Sequence, residues 1–164
     1  MKVHIIGHGV GGTATGRAFE RFGHEVVYTD KGERHEEVEA NIHFICTPEE
    51  SVDDVVKQMC STKSSESLII RSSVLPGTTL RLATENRRSI FHNPEFLREA
   101  TAESDFLYSK YAIIGVAYRP YPLDLGDAYR GMGKEVIYCT STESELVKLL
   151  TNNYLAMLIS FFNE

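Results

Sequence analysis

Tryptophan is missing altogether, and cysteine occurs only three times, at 46, 60 and 139. The cysteines lie far apart with no C-x-x-C pair, which argues against a zinc knuckle, another metal site or a disulfide framework and fits reduced thiols in a cytoplasmic setting. Basic residues are outnumbered, 17 Lys and Arg against 23 Asp and Glu, and the formal net charge of -6 would repel a nucleic acid or an anionic membrane at long range. Long apolar runs are absent as well. The most hydrophobic late stretch, Leu146 to Phe162, is interrupted by Lys148, Asn152, Asn153 and Ser160, so it reads as a packed helix and not a membrane span. Met1 to Ile6 runs straight into a glycine loop, leaving no charged head, apolar core or cleavage site of an export signal.

What is present is the pattern of an α/β fold with a Rossmann-type, doubly wound, mostly parallel sheet. The 164 residues suit one domain with an appendage, and the expected division is a nucleotide-binding domain over 1–140 and the start of a long central helix over 141–164. Short apolar strands are expected at Lys2–Ile6, Glu25–Thr29, Asn41–Cys46, Leu68–Arg71, Ser89–His92, Ala112–Val116 and Glu135–Cys139, with a main sheet of about six. Helical spacing marks Thr13–Phe22 and Pro48–Cys60, where Val52, Val55, Val56 and Met59 recur. A further helix is expected near Glu95–Ala102, a polar turn at 64–67, and a surface helix starting within Tyr118–Leu125 and ending at Gly131 and Gly133. Ser141, Thr142 and Glu145 look like capping residues at the head of the last helix.

The first chemical signal is Gly7-His8-Gly9-Val10-Gly11-Gly12, a G-x-G-x-x-G between a strand and a helix. Gly7 and Gly9 allow a tight turn and the close approach of a pyrophosphate to backbone N–H groups at a positive helix end; Gly12 lets helix and strand pack. Alone, such a loop is weak support, because glycine turns serve sterics in many folds. Asp30 strengthens it. It ends the second strand 18 residues beyond Gly12, where a carboxylate accepts hydrogen bonds from the ribose hydroxyls and repels a 2′-phosphate. NAD is therefore expected over NADP, with Lys31 and Arg34 nearby to soften the preference. The plain alternative is a structural glycine turn and a solvated Asp30.

Four later segments carry more. Phe44-Ile45-Cys46-Thr47-Pro48 follows the third strand, and Arg71-Ser72-Ser73-Val74-Leu75-Pro76-Gly77-Thr78-Thr79 follows the fourth. Asn93-Pro94-Glu95-Phe96-Leu97-Arg98-Glu99-Ala100 and Glu145-Leu146-Val147-Lys148-Leu149-Leu150-Thr151-Asn152-Asn153 come later. In this order they resemble the I-C-x-x-T-P, S-T-V-x-x-G-T, N-P-E-F-L-x-E-G and E-L-x-K-x-x-x-N stretches of the UDP-glucose/GDP-mannose dehydrogenases, nucleotide-sugar 6-dehydrogenases that oxidise an alcohol to a carboxylate with two NAD. The first turn is shorter than the family's, Ser73 stands where threonine is usual, and Ala100 replaces glycine or serine.

The resemblance implies cofactor contacts from Gly7, Gly9, Val10, Gly11, Gly12, Asp30, Lys31, Cys46, Thr47, Pro48, Ser72, Ser73 and Glu99. It implies catalytic roles for Lys148 and Asn152 at the substrate alkoxide, for Glu95 in directing water, and for Glu99 and Ser73 in orienting the nicotinamide or that water. Lys148 and Asn152, four residues apart, share a helical face on which an ammonium and an amide could meet one oxygen. Without the resemblance they are the polar face of an amphipathic helix, and Glu95 a helix-N-terminal carboxylate.

The family's trapping cysteine lies in G-G-x-C-x-P-K-D, and no such segment occurs among these residues; Cys46, Cys60 and Cys139 read as small buried hydrophobes. A second domain completing the nucleotide-sugar site is expected to be lacking, and the stretch to be inactive alone. Val74-Leu75-Pro76-Gly77 and Arg98 lean towards GDP-mannose types without deciding the sugar. A non-catalytic NAD-sensing module and a small single-step Rossmann oxidoreductase remain as alternatives. The apolar load of the last helix predicts a homodimer through it, with packing on its own sheet as the alternative.

Overall fold

The computed structural model describes residues 1–61, 66–118 and 120–163. Seven strands, β1 (Lys2–Ile6), β2 (Glu25–Thr29), β3 (Ile42–Ile45), β4 (Ser67–Ile70), β5 (Ile90–His92), β6 (Tyr111–Val116) and β7 (Glu135–Thr140), form one sheet in the order β2-β1-β3-β4-β5-β6-β7. All neighbours are parallel except β5 and β6. The chain winds outward from β1 to β2, then crosses to β3 on the other side, so the winding reverses between β1 and β3. Ligands of doubly wound sheets bind at such a switch point, beyond the carboxyl ends of its strands.

The strands are continuous apolar runs because both faces are covered. Along β3, Ile42 and Phe44 join one core cluster and Ile45 the other; β4 alternates likewise, Ile69 on the first side and Leu68 and Ile70 on the second. On the first face lie α1 (Val10–Arg21), α4 (Ala102–Tyr108) and α5 (Leu123–Gly131), contributing Phe19, Phe106 and Tyr129. On the second, α2 (Glu49–Cys60) and α3 (Thr78–Asn86) contribute Val52, Val56, Met59 and Leu82. Each fully buried side chain of this size contributes roughly 1.5–3 kcal/mol, so the two slabs hold the sheet rigid beneath the loops.

The structure departs from the sequence reading in five places. The sheet has seven strands, not about six, and β6 and β7 run against the other five. The helix expected at 95–102 lies later: residues 93–98 are irregular, Glu99–Thr101 form a 3-10 turn and α4 begins at Ala102. The reason is local. The Glu95 carboxylate accepts the Leu97 N–H at 2.7 Å, closing a side-chain turn that competes with a helix, and Pro94 removes a donor. α3 was not anticipated, its Thr-Thr start reading as turn. α1 starts at Val10, three residues before the expected Thr13, while the surface helix begins at Leu123, inside its expected window. Finally, α6 (Ser141–Asn163) is capped by Thr140 and Glu143, not by Ser141, Thr142 and Glu145. The Glu143 carboxylate accepts from the Thr140 N–H and hydroxyl at 2.8 and 2.7 Å, and the Glu143 N–H donates to Thr140 Oγ1 at 3.2 Å, a reciprocal capping box. Of the expected turn at 64–67, residues 64 and 65 lie outside the described residues, and Ser67 opens β4.

Ser141, Ser144, Glu145 and Lys148 of α6 are buried on the sheet, whereas Leu150, Tyr154, Leu155, Met157, Ile159, Phe161 and Phe162 are exposed. No helix among the described residues is long and apolar enough to cross a membrane.

Candidate functional site

Gly7 leaves β1 at φ +97°, its N–H donating to Thr29 O at 2.9 Å, so the loop is tied to the end of β2. A Cβ on Gly7 would lie 2.7 Å from Cys46 O, and one on Gly12 2.0 Å from Gly7 O. Both positions therefore exclude side chains, Gly7 by backbone conformation and crowding, Gly12 by the approach of α1 to the loop. Gly9, the N-cap of α1, and Gly11 have nothing within 4 Å of where a Cβ would stand. That open space lies at a helix start whose first N–H groups have no intrahelical acceptor, the condition for holding a phosphate.

Asp30 ends β2, next to β1 in the sheet, and is exposed. One of its oxygens, Oδ1, accepts the Lys31 N–H at 2.8 Å, so the carboxylate is oriented from its own turn. Lys31 is exposed beside it. From the other side of the switch point, Cys46 donates its N–H to Ile6 O at 2.7 Å, Thr47 follows with a buried hydroxyl that lacks a partner among the described residues, and Pro48 holds the N-cap position of α2. Ser72 Oγ reaches Thr47 O at 2.5 Å, joining the β3 and β4 turns, with Ser73 half-buried after it.

The two acidic residues of the third segment line different cavities. Glu99 shares an open groove of about 860 Å³ with His8, Gly9, Val10, Thr13 and Arg17, directly over the glycine loop. Glu95 lines a different, smaller cavity and is bound to Lys148, whose Nζ donates to the Glu95 main-chain carbonyl at 2.5 Å and to its Oε1 at 3.0 Å. No helix joins the two glutamates. Lys148 is 4 % exposed, and its ammonium also lies 5.5 Å from the centre of the Phe96 ring. Asn152, one turn further along α6, is exposed, and its side chain makes no hydrogen bond among the described residues.

His92 anchors this end of α6. Its Nδ1 lies 2.6 Å from Ser144 Oγ, one turn before Lys148, and burial drops its pKa to about 4. The three thiols are poor nucleophiles as placed: burial pushes Cys46 up to about 12 and raises Cys60 and Cys139 too. Sequence reasoning missed His8 and Arg17 in the groove and the buried Arg71. The middle position of G-x-G and the i+4 step from Thr13 were the only signals for the first two.

Sheet order, switch point and glycine loop define a Rossmann-type α/β unit. No family model matches the chain. Over 119 residues it is 37% identical to the UDP-glucose 6-dehydrogenase of Campylobacter jejuni, covering 70% of this chain and 30% of that one. Over 132 residues it is 30% identical to the enzyme of the same name from Rickettsia conorii, covering 77% and 29%. In three dimensions it is similar to a GDP-mannose dehydrogenase from Pseudomonas aeruginosa, with a TM-score of 0.85 at 20% identity over 99% of this chain and 52% of that one. A UDP-glucose dehydrogenase from Pyrobaculum islandicum gives 0.84 at 22% identity over 98% and 51%. The chain belongs to the nucleotide-sugar dehydrogenase family and corresponds to its N-terminal part, spanning about 30% of the length of the curated relatives it matches.

Proposed function

We propose that the chain is the NAD-binding portion of a nucleotide-sugar 6-dehydrogenase of UDP-glucose/GDP-mannose type, in the cytoplasm, and that it does not turn over sugar by itself. The observation that carries this reading is the pairing of the open glycine loop with Asp30 on adjacent strand ends, with Glu99 over the same groove. Gly9, Val10, Gly11 and Gly12 would hold the diphosphate, Asp30 and Lys31 the adenosine ribose side, and the Cys46-Thr47-Pro48 and Ser72-Ser73 turns with Glu99 the nicotinamide side. NAD supplies a hydride acceptor. Lys148 offers an ammonium to a developing alkoxide, steadied by Glu95, with Asn152 adding an amide and Glu95 steering water; Glu99 and Ser73 position the nicotinamide or that water. No cysteine of this stretch is placed or ionised to trap an aldehyde, so the second oxidation needs residues beyond those matched.

The proposed division at residue 140 is supported by α6, whose first two turns pack on the sheet while its later apolar face is exposed; a homodimer formed through that face would cover it. Titration calorimetry with NAD and absorbance at the NADH band with a panel of UDP- and GDP-sugars test the reading. Saturable NAD heat without NADH formation is expected. Two NADH per sugar from this chain alone would contradict it, as would the absence of any NAD heat. A monomer at micromolar concentration in sedimentation would remove the dimer.

A further inference from the structure

Behind the loop carrying Glu95 lies a cavity of about 80 Å³, several times the roughly 10–15 Å³ one water needs. Two buried cations line it, Arg71 at 5% and Lys134 at 6% exposure, and neither has a carboxylate partner among the described residues. Among the described residues, Lys134 Nζ donates only to the carbonyls of Phe106 and Ser109, at 2.5 and 2.7 Å. Arg71 donates through one terminal nitrogen to the Asn93 side-chain oxygen and to Tyr129 Oη, the latter at 3.0 Å, while its buried Nε–H has no partner among the described residues. The Phe106 ring serves both, 5.1 Å from Lys134 Nζ and 5.5 Å from Arg71 Cζ.

The two carboxylates on the cavity wall are already committed. Asp105 pairs with Arg98 at 2.7 Å, and Glu95 with Lys148. The cavity thus keeps an excess of two positive charges beside an orphaned donor. An uncompensated buried charge is costly, and a bound counter-charge is the direct remedy. Burial and the neighbouring Arg71 also lower the Lys134 pKa, as two cations sharing one space must.

We propose that this cavity binds a small inorganic anion, held by the Arg71 Nε–H and the Lys134 ammonium. Its occupancy braces residues 94–97, which line the same cavity, and so steadies Glu95 from behind, independently of the glycine loop.

The test uses the whole chain at constant ionic strength, with sodium gluconate replaced stepwise by chloride, bromide or phosphate while thermal unfolding is followed. A saturable rise in Tm is expected, reaching several degrees at saturation, with a bromide anomalous peak in the cavity of crystals grown in bromide; a larger rise with phosphate than with halide assigns the site to the oxyanion. Lys134→Met should unfold later than the parent in gluconate, because a buried charge is gone, and lose the anion dependence. Arg71→Lys, which keeps the charge but not the Nε–H, should weaken it at least tenfold. Tm values that do not respond to the anion, a cavity without bromide, or a dependence surviving in Lys134→Met would overturn the proposal.

Discussion

The carboxylate of Glu145 accepts the backbone N–H of Thr79 at 2.7 Å, across 66 residues of sequence, and that of Gly77 at 2.6 Å through its other oxygen. A residue of α6 therefore caps α3, whose own N-cap, Gly77, has no side chain to do it. Glu145 is fully buried. Glu145→Ala removes the acceptor and leaves two donors facing a void, so a loss of about 2–4 kcal/mol is expected in urea unfolding. Glu145→Gln, which keeps one acceptor oxygen, should lose about half. Equal stability of Glu145→Ala and the parent would mean the cap is inert.

Folding and binding separate within the glycine loop. Gly12→Ala sets a methyl 2.0 Å from a backbone oxygen, so it should destabilise the fold by about 2 kcal/mol or more as well as abolish NAD binding. Gly9→Ala meets nothing within 4 Å at an ordinary φ of -74°. It should keep its Tm within about a degree while weakening NAD at least tenfold in calorimetry, the methyl occupying the space of the diphosphate. A Gly9→Ala protein that binds NAD like the parent would move the cofactor away from this loop.

How far this was legible beforehand depended on whether the determinant was local. The β1–loop–α1 unit and β2 were readable because glycine spacing and apolar runs fix them within a few residues, and all seven strands lie within a residue of their expected bounds at each end. What failed was set by contacts distant in sequence. Glu145 looked like a local cap and serves another helix. The 95–102 segment has helical composition, yet Glu95 spends its carboxylate on the Leu97 N–H and on Lys148. The reversal of β6 left no periodic signature, and Arg71 read as the end of a strand because burial of a lone guanidinium cannot be seen from its neighbours in the chain.

In the proposed function, Asp30 is the residue that separates NAD from NADP. With its Oδ1 fixed by the Lys31 N–H, the carboxylate is exposed at the end of β2. Asp30→Ala should weaken NAD by about 1–3 kcal/mol, the scale of hydrogen bonds to a charged group, without changing Tm. The same variant should gain relative affinity for NADP, since the repulsion of a 2′-phosphate is removed while Lys31 and Arg34 remain. Unchanged NAD and NADP affinities in calorimetry would exclude Asp30 from the site.

Histidine burial predicts the acid limit of the fold. His4 and His43 lie side by side on β1 and β3, with Nδ1 atoms 2.9 Å apart; His4 Nε2 is 2.7 Å from Thr29 Oγ1, which is 2.7 Å from His35 Nδ1. One arrangement of protons suits this chain: His43 donates to His4, His4 to Thr29 and Thr29 to His35, leaving the partnerless His43 Nε2 as a bare acceptor and not a stranded N–H. An added proton has no acceptor there. Burial lowers His4 to about 3, and His43 and His92 to about 4, from the ordinary 6.5, so the unfolded chain takes up protons first. Stability should be level above pH 7 and fall as pH drops below 6.5, the slope approaching about 4 kcal/mol per pH unit for three protons before flattening near 4. This window lies above that of the depressed carboxylates Asp53 and Glu143, whose contributions are lost only as pH falls below about 4. Urea unfolding at pH 7.5, 6.5, 5.5 and 5.0 measures it, and a His4→Val, His43→Val double variant should lose about two thirds of the slope. Constant unfolding free energy from pH 7.5 to 5.0 would show that these imidazoles take up protons as readily folded as unfolded.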